Sequence, residues 1–146
     1  MADADLFGLG RFVEAQEPVF EAALAELKAG RKRTHWMWFV FPQLADLGSS
    51  PTARFFGISG LDEAKAYLAH PVLGARLRAC TQAMLDLQGR SLNAVLGSPD
   101  DLKFRSAMTL FDRAADGGET LFGMALARYC DGEPDRRTVE LLAQAG

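Results

Sequence analysis

Sulfur and imidazole are scarce in this chain, which has two cysteines, Cys80 and Cys130, and two histidines, His35 and His70. Neither cysteine has a second cysteine or a histidine at metal-ligand spacing, which argues against a zinc site. Two buried thiols in a reducing cytoplasm are expected instead. Long apolar runs are also missing. The longest, Trp36 to Phe41, covers six residues, far short of the roughly 20 needed to span a bilayer. The opening MADADLFGLG has neither the basic nor the apolar region of a signal peptide. A soluble, cytoplasmic protein with no membrane partner is therefore expected. Positive charge is not in excess: the net charge is −3 and the pI about 5.4. Such a chain is a poor candidate for duplex nucleic acid, although a small anionic ligand needs only a local basic patch. Glycine-rich phosphate loops, a serine nucleophile elbow, His-x-x-x-His and Cys-x-x-Cys are absent, so no cofactor and no metal is expected.

What is present is ordinary globular material. With 146 residues, 49% of them hydrophobic and 24% charged, the chain suits one domain, residues 1–146, with one core. Helical spacing of apolar residues recurs along its length. Leu6 to Gln16 is expected to form a helix capped by Asp3 or Asp5. Pro18 opens a second helix that Gly30 closes. Thr52 to Phe56 suits a short helical piece. Ser59-Gly60-Leu61-Asp62 has capping-box spacing before a helix Leu61 to Ala69. Pro71 starts the next, stopped by Gly89. Ser91 and Gly97 bracket one or two turns. Ser98-Pro99-Asp100-Asp101 reads as a helix start, with a cap, a proline at the first position and acidic residues facing the dipole. That helix runs to about Ala115, before Gly117-Gly118. Another covers Leu121 to Tyr129, and Asp135 caps a last one. The expected fold is all-α, an irregular multihelical single domain of about seven helices.

The most informative stretch is THWMWFVFPQ, residues 34–43, which holds both tryptophans. Thr34 is placed to cap it and Pro42 to end it. With no partner strand elsewhere, a short buried helix or an irregular extended segment is favoured. It reads either as core alone or as core with one pocket-facing side. On the second reading the indoles, the His35 imidazole, the Gln43 amide and the nearby Lys32 would wall a pocket for a planar, nucleotide-like anion. His35 is the candidate acid–base, with a satisfied structural histidine as the alternative. Arg31-Lys32-Arg33 is either a solvated helix end or an anion patch. His70 is expected to cap or to pack. Lys103, Ser106, Thr109 and Asp112 form a polar line, normally a solvent face, which matters only if it faces the decapeptide.

At these residues the chain resembles an uncharacterised bacterial family, the domain of unknown function 1810 family, whose members are often labelled "calpastatin". The matching motifs are Arg11-Phe12-Val13-Glu14-Ala15-Gln16, Gly30-Arg31-Lys32 with His35 to Gln43, Glu63-Ala64 with Tyr67 to Leu77, and Met108-Thr109-Leu110-Phe111. The resemblance implies a mainly helical single domain and no established activity. The calpastatin label does not suit the composition, because that inhibitor is disordered and charge-rich. Two positions depart from the family pattern: Ala107 stands where a small hydroxyl residue is usual, and Asp46 where glycine is. Arg11, Gln16, Lys32, His35, Trp36, Trp38, Gln43, His70 and Thr109 recur with the motifs. All but His70 of these are candidate site residues, His35 as catalytic and the others as ligand-binding, expected to converge on one cavity. The functional expectation is a small-molecule binding or catalytic domain; the alternative is a non-enzymatic protein-interaction module.

Overall fold

Caps and glycine exits set most helix boundaries. In the computed structural model, which describes residues 5–115 and 118–145, the Asp5 carboxylate accepts the Leu9 and Gly10 N–H groups at 2.7 Å each. Helix α1 (Gly10–Gln16) therefore starts four residues later than its apolar spacing suggests. Those two bonds hold the Asp5 carboxyl below its ordinary pKa. Asp3, the other proposed cap, lies outside the described residues.

Helix α2 (Phe20–Lys28) ends as expected at Gly30, whose φ of +81° suits only glycine well. Gly30 N–H donates to the Leu27 carbonyl and Arg31 N–H to the Glu26 carbonyl, each at 3.0 Å, the Schellman pattern that satisfies orphan carbonyls. The aromatic stretch forms the short helix α3 (Met37–Val40). Helix α4 (Pro51–Phe55) is capped by Ser50 and α7 (Leu92–Leu96) by Ser91. In α5 (Leu61–Ala69) the capping carboxylate is Glu63, not Asp62, and it accepts the Ser59 N–H at 2.8 Å. His70 Nδ1 accepts the Val72 and Leu73 N–H groups, so the imidazole opens α6 (Leu73–Asp86) and Pro71 stays outside it.

Helix α8 (Asp100–Ala114) has Pro99, not Ser98, at its cap position, and no side chain caps it. The expected break at Gly117 falls outside the described residues. Helices α9 (Leu121–Tyr129) and α10 (Arg136–Ala145) follow, the latter capped by Asp135, whose carboxylate accepts the Thr138 N–H at 2.9 Å.

Among the described residues the fold is all-α, as expected. Seven of the ten helices have seven residues or more; the rest are single-turn pieces. No strand forms among the described residues. A lone parallel bridge joins Leu44 to Ile58, beside a 3-10 turn at Ala45–Leu47. No helix among the described residues is long and apolar enough to cross a membrane.

Helix α8 is the hub. It packs against α5, α7, α9 and α10, and Phe104, Ala107, Met108, Leu110 and Phe111 on it are fully buried. Tyr67 of α5 links Phe12 of α1 to Phe111 through ring contacts of 5.2 Å on either side. Phe41 sits edge-on to Phe104 at 5.1 Å and tilts against Trp36 at 6.3 Å. The decapeptide is thereby pinned to α8. Burying each such ring contributes on the order of 1.5–3 kcal/mol.

Candidate functional site

The site begins with Glu26. As the chain leaves α2 it doubles back past this carboxylate, which accepts the Arg33 N–H (2.8 Å), the Thr34 N–H (3.1 Å), the Thr34 hydroxyl (2.7 Å) and the Trp36 indole N–H (2.9 Å). Burial by itself raises the pKa of Glu26, but these bonds outweigh it and hold the carboxyl at about 2. Thr34 thus serves Glu26, and α3 has no side-chain cap. The Lys32 N–H donates to the Val95 carbonyl of α7 at 2.7 Å, which aims the lysine side chain toward the start of α8.

There the charges converge. Lys32 Nζ lies 3.0 Å from Asp100 Oδ2, and Lys103 Nζ lies 3.4 Å from Asp100 Oδ1. Each ammonium also covers an indole, Lys32 over Trp36 at 5.2 Å and Lys103 over Trp38 at 5.0 Å. One carboxylate is therefore bridged by two lysines, and each lysine is backed by a tryptophan. The Lys32 side chain is 8% exposed, Asp100 18% and Lys103 23%. Trp36 is buried and Trp38 half-buried. Within this trio two cations face one anion in a partly desolvated place, where charge interactions are stronger than in water, while the Glu26 carboxylate, on the indole that Lys32 covers, adds a second anion to the wider site. The polar line of α8 does face the decapeptide, but only through Lys103. Ser106 and Thr109 turn inward and are buried.

The structure thus brings Lys32, Trp36 and Trp38 together. It does not gather the other candidates around them. The five N–H donors of Arg11 are fully used, by the carbonyls of Phe7, Gly8, Phe55 and Gly57 and by Glu63 Oε2 at 2.9 Å. Arg11 is a clamp between α1, α4 and α5, with no donor left to hold an anion. Gln16, 1% exposed, donates to the Phe39 carbonyl at 2.6 Å and to the Tyr67 hydroxyl at 3.0 Å. Its oxygen accepts from Arg76 at 3.4 Å. Thr109 donates to the Arg105 carbonyl and accepts the Asp135 N–H, each at 2.8 Å, tying α10 to α8. The expected convergence of Gln16 and Thr109 on one cavity with His35 and Gln43 is therefore corrected: both are spent inside separate networks. The half-buried Gln43 has its main-chain carbonyl engaged by the Ile58 N–H at 2.9 Å. His35 is exposed beside Trp36, with no side-chain hydrogen bond among the described residues.

Sequence reasoning missed Glu26, Asp100 and Lys103 as members of the site. Asp100 was explained by the helix dipole and Lys103 by a solvent face. Surface cavities of about 430, 400 and 510 Å³ are lined by other segments: the start of α5, the Asp5–His70 corner, and Met124 with Leu85 and Arg128. The cysteines are buried as expected. Burial pushes the Cys80 thiol up to about 12 and also raises Cys130 and Tyr67. None of these three supplies a nucleophile near neutral pH.

A model of the family described as protein of unknown function, DUF1810, matches residues 6–142. The crystal structure at 1.38 Å of a conserved hypothetical protein from Mycobacterium tuberculosis, Rv1873, is similar to the chain. The two share 57% identity at a TM-score of 0.93, over 95% of this chain and 99% of that one. No curated protein matches.

Proposed function

We propose, for a chain that belongs to the DUF1810 family of proteins of unknown function, that it binds a small, planar, anionic ligand at the Lys32–Asp100–Lys103 cluster. The observation that carries this reading is the pairing of each lysine with an indole around one shared carboxylate. A cation beside a half-buried aromatic face suits an anionic group joined to a flat ring, as in a nucleotide. Trp38 offers the ring contact and Lys32 and Lys103 the charge. Gln43 and the exposed His35 flank the aromatic run in sequence and are assigned as further ligand contacts on that ground. His35 keeps the acid–base role if a reaction follows binding. Binding is favoured over catalysis because the imidazole has no orienting partner among the described residues.

A thermal-shift screen with planar phosphorylated compounds tests this reading. A ligand present at 100 times its dissociation constant adds about 2.7 kcal/mol of stability. The expected result is a hit whose shift is lost in Lys103→Gln and in Trp38→Ala. No hit, or hits indifferent to both substitutions, removes the reading. The interaction-module alternative draws on exposed Leu6, Phe55, Leu102 and Met124. They lie on four segments of the sequence, of which those of Leu6 and Phe55 meet at Arg11, and small groups of exposed apolar side chains are normal on monomers. A concentration-dependent size measured by light scattering, reversed by Met124→Glu, would favour it instead.

A further inference from the structure

We infer that Asp100 is a built-in competitor for the ligand's anionic group, and that this group is a phosphoryl group able to displace it. The inference rests on the anion-binding reading above.

The two oxygens of Asp100 divide between the two lysines, Oδ2 facing Lys32 and Oδ1 facing Lys103. That is the arrangement a bridging anion adopts, here supplied by the chain itself. The carboxylate is not anchored there by anything else: no N–H donates to it among the described residues, in contrast with its neighbour Asp101, which accepts from the Leu102 N–H and from Asn93. Asp100 is also the first residue of the fifteen-residue α8. A carboxylate swung away from the lysines would stay near the positive end of the helix dipole, which lowers the cost of leaving.

An incoming anion must replace a tethered carboxylate. A carboxylate ligand offers the same single charge and has no advantage over the resident one. A phosphate monoester carries about −1.5 to −2 at neutral pH and three acceptor oxygens. It can meet both ammonium groups at once and neutralise both. The ligand class is therefore a planar compound bearing a phosphoryl group, and Asp100 sets the threshold it must exceed.

Displacement makes a specific prediction. If Asp100 must leave before any phosphoryl group binds, removing its charge strengthens every phosphorylated ligand by one common factor and leaves the uncharged ring compound unchanged. If Asp100 instead stays in place and repels, the gain grows with ligand charge. If Asp100 is itself a ligand contact, its removal weakens binding.

The experiment is titration calorimetry of the full chain and of Asp100→Asn with adenosine 5′-monophosphate, adenosine 3′,5′-cyclic monophosphate and adenosine. Circular dichroism melting confirms that each variant is folded, and Asp100→Ser serves as a second uncharged variant. The expected result has wild type binding the monophosphate more tightly than the cyclic compound. Both phosphates gain by a similar factor of about fivefold or more in Asp100→Asn, with adenosine unaffected. Wild-type binding that is unchanged or weakened in both variants overturns the inference and leaves the binding reading standing. So does a gain that is larger for the dianion. Binding of none of the three to wild type or variants overturns both.

Discussion

At the scale of single residues, two buried-to-half-buried charged groups do structural work that their sequence neighbours do not announce. Glu26 gathers three N–H donors and a hydroxyl. Glu26→Gln is expected to cost about 1–3 kcal/mol at neutral pH, measured by urea unfolding, because hydrogen bonds to a charged acceptor are lost. The pH dependence has a definite sign. The carboxyl is held at about 2 in the fold against an ordinary 4.5. Its contribution is thus complete above pH 4.5 and disappears as the pH falls from there toward 2. The gap between wild type and Glu26→Gln should narrow over that window; a gap that is constant from pH 7 to pH 2.5 contradicts the assignment. Arg11→Ala leaves Glu63, 2% exposed, without its ionic partner, and is expected to cost about 3–5 kcal/mol. The same substitution should leave ligand shifts unaltered in any variant that still folds. Trp36, Trp38 and Lys32 were legible in the sequence because rare aromatics beside a basic run draw attention to themselves. Glu26 was not, because it is one of two carboxylates on an amphipathic helix. Its role arises only when the Gly30 exit folds the chain back over it.

At the scale of elements, periodicity located the long helices and both ends of α5 and α9, and misplaced the starts of α1, α2, α6 and α8. The α1 and α6 starts moved because side chains upstream, Asp5 and His70, cap from outside the apolar pattern. The proline rule failed at Pro18 and Pro71, which stand in the turns before α2 and α6. Close approaches were not legible either, since a glycine has no side chain to show what it touches. A Cβ on Gly74 would lie 2.2 Å from the Leu68 carbonyl oxygen, and one on Gly57 2.3 Å from Ala45 Cα. Both contacts are with backbone, so α6 would have to back away from α5, or the Gln43–Leu47 segment from Gly57. Gly74→Ala and Gly57→Ala are each expected to lose about 1–3 kcal/mol, read as a lower denaturation midpoint. Wild-type stability in either would mean that the helices have room the packing does not suggest.

At the scale of the whole molecule, the fold class was readable and the site's composition was not. Helical spacing is a local property, and it repeats along most of the chain. The contact of Lys32 with Asp100 is long-range, created when α7 and α8 close over the turn after α2. No spacing rule connects the two positions. The same packing that assembles this cluster disperses the other polar candidates. Gln16 closes a network among α1, α3, α5 and α6, and Thr109 anchors α10. Recurring polar residues in a helical fold therefore divide between those that hold helices together and those left facing a ligand. Internal hydrogen bonding is the property that separates them.

The most direct measurement follows the two indole N–H signals by heteronuclear NMR during titration with adenosine 5′-monophosphate. The signal of Trp36, whose N–H is held by Glu26 beneath the Lys32 ammonium, is expected to move less than that of Trp38. Saturable movement of the Trp38 indole and of the Lys103 amide, abolished in Lys103→Gln, is the result expected. Saturable shifts confined to another part of the molecule, or none up to millimolar nucleotide, would contradict a ligand site at the two lysines.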